Sequence, residues 1–110
     1  MGDGHHAWAS AEWILMMRRL FIREDRDRLT LGDGIPGEWL NISGTIEFGP
    51  TPTPFGAITV TVKPDTVSPA VEWKADWRTP PPELLIDLPG MQPRRVTKPE
   101  NRGRVELSPE

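Results

Sequence analysis

The first quarter of the chain has a helical pattern of hydrophobic and polar positions. Residues 7–22 are mostly good helix formers, no glycine or proline interrupts them, and charged residues collect from Arg23 onward. The pattern therefore predicts an N-terminal α-helix over 7–22. This segment is too short, and too interrupted by Arg18 and Arg19, to cross a bilayer, which takes about 20 apolar residues.

The predicted helix is apolar around most of its circumference. On a helical wheel, Glu12, Arg19 and Arg23 fall on one narrow polar stripe. The wide apolar arc comprises Trp13, Met16, Met17, Leu20 and Phe21. A surface helix needs an apolar stripe of only about 100°, and a strand-rich domain can cover one face of it. We therefore expect these five apolar residues to form a helix-packing interface with helices that are not in this chain.

From residue 28 onward the hydrophobic pattern alternates with a period of two, which is typical of strands with one wet face. The predicted strands cover 28–31, 43–48, 55–63, 70–78, 83–88, 94–98 and 104–107. Between them we expect a solvated connector at 23–28, a turn with one helical turn at 35–40 and a stiff proline-rich loop at 49–54. The last two strands are expected to form a terminal hairpin through 100–103.

These elements predict a mainly β protein. The expected fold is an antiparallel β-sandwich of about six or seven short strands, preceded by one N-terminal α-helix. The change of period divides the chain into an N-terminal segment with the helix, 1–27, and a β-sandwich domain, 28–110.

Composition and charge narrow the function classes. The 110 residues suffice for one modest core, and 10 glycines with 13 prolines favour short strands over a helical bundle. Without cysteine there is no thiolate zinc site, and two adjacent histidines cannot complete a tetrahedral one, so no metal or other cofactor is implied. A net charge of −3 gives no basic footprint for nucleic acid or an anionic membrane. The first residues lack the basic region of a signal peptide, so the sequence assigns no location.

Several motifs occur in an order that carries a family resemblance. Gly4-His5-His6 leads into the helix, which has Arg18-Arg19 late in it and continues into Ile22-Arg23-Glu24. The later motifs are Leu29-Thr30-Leu31-Gly32-Asp33-Gly34-Ile35-Pro36-Gly37-Glu38-Trp39-Leu40, Pro52-Thr53-Pro54-Phe55-Gly56 and Leu85-Ile86-Asp87-Leu88-Pro89-Gly90. In this order the chain resembles the C-terminal end of bacterial glycoside hydrolases of the six-hairpin type, which have an (α/α)6 toroid followed by a small β-domain.

The resemblance implies that residues 1–27 contain the last toroid helix and that the chain is the tail of a longer polypeptide, or a gene fragment that starts at an internal methionine. The catalytic carboxylates of the family lie in the toroid, and no residue here matches them. The implied function is that of a non-catalytic accessory domain that stabilises a carbohydrate-active enzyme. Its partner would be the helical catalytic domain, or a second copy bound through the helix. His5 and His6 would lie near the rim of the substrate cleft.

Two carboxylate pairs could be proposed as catalytic groups from the sequence alone. Glycoside hydrolysis needs two carboxyl groups about 5–9.5 Å apart across a sugar. Glu72 with Asp76, and Glu12 with Glu24, are interpreted more simply as solvated positions of a strand and a helix. We therefore expect no catalysis by this chain alone.

Trp73 and Trp77 lie on one face of a predicted strand, about 13 Å apart at the usual rise. Two tryptophans at this spacing could stack on the sugars of an oligosaccharide. Val71 and Ala75 share that face, which favours a core role. The alternative function is therefore a free-standing carbohydrate-binding or protein-interaction β-sandwich module.

Overall fold

The computed structural model describes residues 15–25 and 27–110. Helix α1 is described over residues 15–21, and residues 7–14 of the predicted helix lie outside the described part of the chain. The strands of the described part are β1 (Ile22–Glu24), β2 (Arg28–Leu31), β3 (Ile46–Thr51), β4 (Gly56–Lys63), β5 (Ala70–Trp77), β6 (Glu83–Ile86), β7 (Arg94–Thr97) and β8 (Arg102–Glu106). A short 3-10 helix, Gly37–Asn41, connects β2 to β3.

The strands form two sheets, sheet A with the order β1-β2-β6-β7 and sheet B with the order β3-β4-β5-β8. This arrangement confirms the predicted β-sandwich preceded by a helix. Among the described residues all pairings are antiparallel except that of β2 with β6, which is parallel. The parallel pair was not expected. Two parallel neighbouring strands need a long crossover connection between them. Here β3, β4 and β5 of the other sheet lie between β2 and β6 in the sequence and provide that connection.

The inner faces of the two sheets form the core. In sheet B the register places Phe48, Val60 and Trp73 in one row across β3, β4 and β5. Sheet A contributes Ile22, Leu29, Leu31, Leu84 and Ile86, each at most 1% exposed. Phe21, the last residue of α1, is fully buried in this core and stacks on Phe48 with ring centroids 5.4 Å apart. The end of α1 is therefore part of the sandwich.

Two predicted connections were only partly correct. The segment 23–28 is not only a connector, because Ile22–Glu24 forms β1 and pairs with β2. The boundary predicted between residues 27 and 28 therefore falls inside sheet A. The loop predicted at 49–54 is also partly strand, since β3 continues to Thr51 after a register shift beyond Phe48. Pro50 is tolerated there because β3 is an edge strand of its sheet.

The predicted terminal hairpin was wrong. β7 pairs with β6 in sheet A, whereas β8 pairs with β5 in sheet B. Residues 98–101 carry the chain from one sheet to the other. The Lys98 N–H donates to the Pro82 carbonyl at 3.1 Å, and the Ala75 N–H donates to the Asn101 carbonyl at 2.6 Å. These bonds fix each end of the connection to a different sheet.

Candidate functional site

The two tryptophans of β5 converge on one backbone carbonyl. Nε1 of Trp73 donates to the Glu100 carbonyl at 3.0 Å, and Nε1 of Trp77 donates to the same oxygen at 3.1 Å. Trp73 is only 6% exposed, and Trp77 is half-buried against the core. A sugar cannot reach a ring that is almost fully covered, so the stacking role predicted for Trp73 does not fit its position. Trp77 alone keeps an accessible part.

The indole of Trp73 fits against the sheet because its neighbour on β8 has no side chain. Gly103 is the direct cross-strand partner of Trp73. A Cβ at Gly103 would lie 2.1 Å from Cζ2 and 2.3 Å from Cη2 of the indole. Because side chains alternate along a strand, Arg102 and Arg104, on either side of Gly103, point to the outer face of sheet B.

That outer face contains a shallow polar trough of about 460 Å³, which we call the sheet B trough. It is lined by Trp73, by Gly103 and by seven polar or charged residues, which are Glu47, Thr59, Thr61, Glu72, Lys74, Arg102 and Arg104. The strand register orders the polar and charged residues in two rows across the sheet. The rows are Glu47-Thr61-Glu72-Arg104 and Thr59-Lys74-Arg102.

In the first row, Glu72 and Arg104 form ion pairs and Glu47 accepts a hydrogen bond. Arg104 NH1 lies 2.8 Å from Oε2 of Glu72, and Nζ of Lys63 lies 3.2 Å from the same oxygen. The Arg104 hydrogen bond, followed by that of Lys63, holds the pKa of Glu72 below its usual range. The hydroxyl of Thr61 donates to the Glu47 carboxylate at 3.2 Å. Its polar groups therefore have partners within the protein.

The second row is different because two like charges stand opposite each other. Lys74 and Arg102 are direct cross-strand partners, and both are exposed. No ion pair within 4.0 Å joins either one to a carboxylate of residues 15–25 or 27–110. Sequence reasoning missed this pair. The available signal was the segment 94–104, where five basic residues accompany only Glu100 in a chain of net charge −3.

The end of α1 is fixed by a glycine turn. The Gly32 N–H donates to the Phe21 carbonyl at 2.8 Å, and the Gly34 N–H donates to the Leu20 carbonyl at 3.2 Å. A Cβ at Gly34 would lie 2.8 Å from the Arg19 carbonyl oxygen, so the turn needs a glycine to approach the helix this closely. The turn thus supplies donors for the last carbonyls of α1, which have no partner inside the helix.

Arg18 binds α1 to both sheets. Its guanidinium donates to Oγ1 of Thr51 at 3.2 Å, to the Pro52 carbonyl at 2.9 Å and to the Glu24 carboxylate. Glu24 belongs to β1 of sheet A, and Thr51 ends β3 of sheet B. We call these contacts, with the glycine turn and the buried Phe21, the helix junction. It fixes the direction in which α1 leaves the sandwich.

The residues predicted to form the helix-packing interface do not share one environment, because some pack in the core of this chain and others are exposed. Phe21 belongs to the core of this chain, and its full burial removes it from any interface with an outside helix. Met17 and Leu20 pack partly on the same core, whereas Met16 is 58% exposed, as is the neighbouring Leu15 at 59%. Trp13 lies outside the described residues, and so do the predicted rim residues His5 and His6.

The two carboxylate pairs considered in the sequence analysis are not observed as hydrolase-like pairs, since one is too far apart and the other includes Glu12, which lies outside the described residues. Glu72 and Asp76 are four residues apart on β5, about 13 Å along the strand, and Glu24 is paired with Arg18. The pKa of Asp87 is raised, mainly by burial and then by the charges of Asp33 and Glu110. Within 15–25 and 27–110, no group of three or more His, Cys, Asp or Glu residues could hold a metal ion.

Comparisons of the chain with protein-family models, with curated proteins and with solved structures find no match. Within the described residues, no helix is long and apolar enough to cross a membrane. Function is therefore inferred from the helix junction, the sheet B trough and the sequence motifs.

Proposed function

We propose that this chain is a non-catalytic β-sandwich module that holds and stabilises the last helix of a helical domain in a carbohydrate-active enzyme, a glycoside hydrolase. The helix junction is the observation that carries this proposal. The C-terminal end of α1 is bound to both sheets, while Leu15 and Met16, one turn earlier, are more than half exposed. A helix held this firmly, with apolar side chains facing outward, suits a contact with further helices.

The contacts of the glycine turn support the same function. Gly32-Asp33-Gly34 lies within the longest motif of the family resemblance, 29–40. Its two glycine N–H groups bind the last carbonyls of α1, and its Asp33 carboxylate pairs with Arg23 of β1 at 3.0 Å. The motif thus has a mechanical role, which is to join a helix to a β-domain without a flexible linker. A C-terminal domain that stabilises a toroid needs such a connection.

The positions of Glu72 and Asp76 do not suggest that these two residues act as a catalytic pair. Two groups that act across a glycosidic bond need a separation of about 5–9.5 Å and an open site between them. On β5 the separation of Glu72 from Asp76 exceeds this, and the Glu72 carboxylate is engaged by Arg104 and Lys63. The module would therefore contribute stability and position, and the parent would supply the chemistry.

The first experiment measures whether the exposed residues Leu15 and Met16 of α1 belong to an association surface. We expect the isolated chain to bind a hydrophobic dye and to self-associate with rising concentration in light scattering. The double variant Leu15→Glu with Met16→Glu should be monomeric and bind less dye. A matched control, Ile42→Glu with Val67→Glu, places the same charges at two other exposed apolar positions, 49% and 66% exposed, and should behave as the wild type.

A wild-type chain that stays monomeric and binds no dye would contradict the module proposal. That result would favour the alternative, a free-standing binding module, for which the sheet B trough is the candidate surface. The enzyme class is tested separately, by reading the coding sequence in frame upstream of Met1. Helical repeats with a carboxylate pair are expected there, and a stop codon directly upstream would contradict the assignment to a glycoside hydrolase.

A further inference from the structure

We propose that the sheet B trough contains an oxyanion-binding site centred on Lys74 and Arg102. The ligand group would be a carboxylate or a phosphate, carried by a small molecule. This site does not depend on the proposed accessory function, because it lies on the outer face of sheet B and uses none of the residues of the helix junction.

The first step of the reasoning is the pairing of like charges. Residues directly opposite on antiparallel strands have Cβ atoms about 4.5–5.5 Å apart, and like charges at this distance destabilise the sheet. Lys74 and Arg102 occupy such positions on β5 and β8. The nearest acidic positions along β5 are Glu72 and Asp76, two residues away on each side. An anion bound between the two cations would remove the repulsion.

The second step is that the neighbouring row cannot serve the same purpose. The Glu72 carboxylate is already shared by Arg104 and Lys63, at 2.8 Å and 3.2 Å. Arg104 also binds the Glu106 carboxylate at 3.0 Å. This network satisfies its own charges and leaves Lys74 and Arg102 as the cations of the trough without an ion pair among the described residues.

The third step is that the backbone under the pair is held in place. The Asn101 carbonyl accepts from the Ala75 N–H, and the Glu100 carbonyl accepts from both indole groups of β5. These bonds hold the start of β8 against β5 and so keep the backbone positions of Lys74 and Arg102 adjacent. Thr59, the third member of the row, adds a hydroxyl donor beside Lys74. The planar guanidinium of an arginine can bind a carboxylate or a phosphate with two hydrogen bonds.

The test is a titration followed by the backbone amide signals of the intact chain in NMR. The probes are inorganic phosphate, glucuronate and, as an uncharged control, glucose, all at one ionic strength. We expect phosphate or glucuronate to shift the amides of Lys74, Arg102 and Thr59 first. The variants Arg102→Gln and Lys74→Gln should each weaken this binding by about tenfold, the usual effect of losing one hydrogen bond to a charged group.

Arg95→Gln is the matched control, because it removes one positive charge from an exposed position on the other sheet, where the side chain is 71% exposed. It should leave the binding unchanged. Stronger binding of phosphate than of glucuronate would identify a phosphorylated ligand, and the reverse a carboxylated one. Equal weakening by all three variants would show general charge attraction and overturn the proposal. Absence of localised shifts with both anions would overturn it too.

Discussion

The contact between Trp73 and Gly103 gives the sharpest test of how the inner face of sheet B is built. Gly103→Ala adds one methyl group at a position where its Cβ would lie 2.1 Å from the indole. The glycine does not have a left-handed backbone, so the substitution acts through the clash and not through strain in φ. Either the indole or β8 must therefore move.

The structure sets limits on the cost. If the core adjusts locally, overpacking costs about 1–3 kcal/mol. If the indole is expelled instead, its hydrogen bond to Glu100 is lost and its apolar surface, of order 150–250 Å², is exposed to water. This exposure lowers the free energy of unfolding by about 4–6 kcal/mol. We expect a value of about 2–4 kcal/mol between these limits. For a domain of this size, that corresponds to a fall of roughly 8–16 °C in the melting temperature.

The assay is urea denaturation followed by tryptophan fluorescence and by circular dichroism. Gly37→Ala is the control, because a Cβ there makes only an ordinary contact, 3.9 Å from Pro89, and should change stability by less than about 0.5 kcal/mol. Trp73→Phe removes the atoms that the new methyl would strike, so Gly103→Ala should cost much less in that background. If Gly103→Ala is as stable as Gly37→Ala, the indole does not lie over Gly103.

Two further predictions concern the helix junction and a buried carboxyl group. Phe21→Ala should lower the free energy of unfolding by about 3–5 kcal/mol in urea denaturation, whereas Leu15→Ala should change it by less than about 0.5 kcal/mol; equal effects would contradict the burial of Phe21. Burial raises the pKa of Asp87, so its ionisation destabilises the folded chain as the pH rises through the ordinary value of about 3.9. Asp87→Asn should therefore have a higher melting temperature than the wild type at pH 7 and the same melting temperature below about pH 3. Asp65→Asn should have a lower melting temperature than the wild type at pH 7, because two backbone N–H groups lower the pKa of Asp65. A change of melting temperature in the same direction for both variants at pH 7 would contradict this explanation.

Strands with one solvent-exposed face could be predicted from the sequence, because every second side chain of such a strand packs in the core and is apolar. The predicted strand 28–31 has the bounds of β2, and those predicted at 55–63 and 70–78 differ from β4 and β5 by one residue at one end. In β4 the buried positions Ile58, Val60 and Val62 alternate with threonines. The sandwich class follows from several strands of this kind.

Strand β1 and the partners of the last two strands could not be predicted in this way. In β1 only Ile22 is buried, and the charged residues after it look like a solvated connector. Nothing in the local pattern of 94–107 distinguishes a hairpin within one sheet from a crossing between two sheets. That choice depends on long-range hydrogen bonds, such as those to Pro82 and Ala75.

The sheet B trough was missed for a related reason, since Lys74 and Arg102 become neighbours only when β8 pairs with β5. The pairing of β5 with β8 is stable because packing on the inner face of sheet B contributes more free energy than charge repulsion on the outer face costs. Cross-strand side-chain pairs change stability by only about 0.2–1 kcal/mol each, and like charges directly opposite are unfavourable. Burial of an indole on the other face of the same strands contributes several kcal/mol. Trp73 and Gly103 therefore keep Lys74 beside Arg102 whether or not an anion is bound. The fold therefore sets the backbone positions of the proposed oxyanion site, and a ligand would have to order only the two exposed side chains.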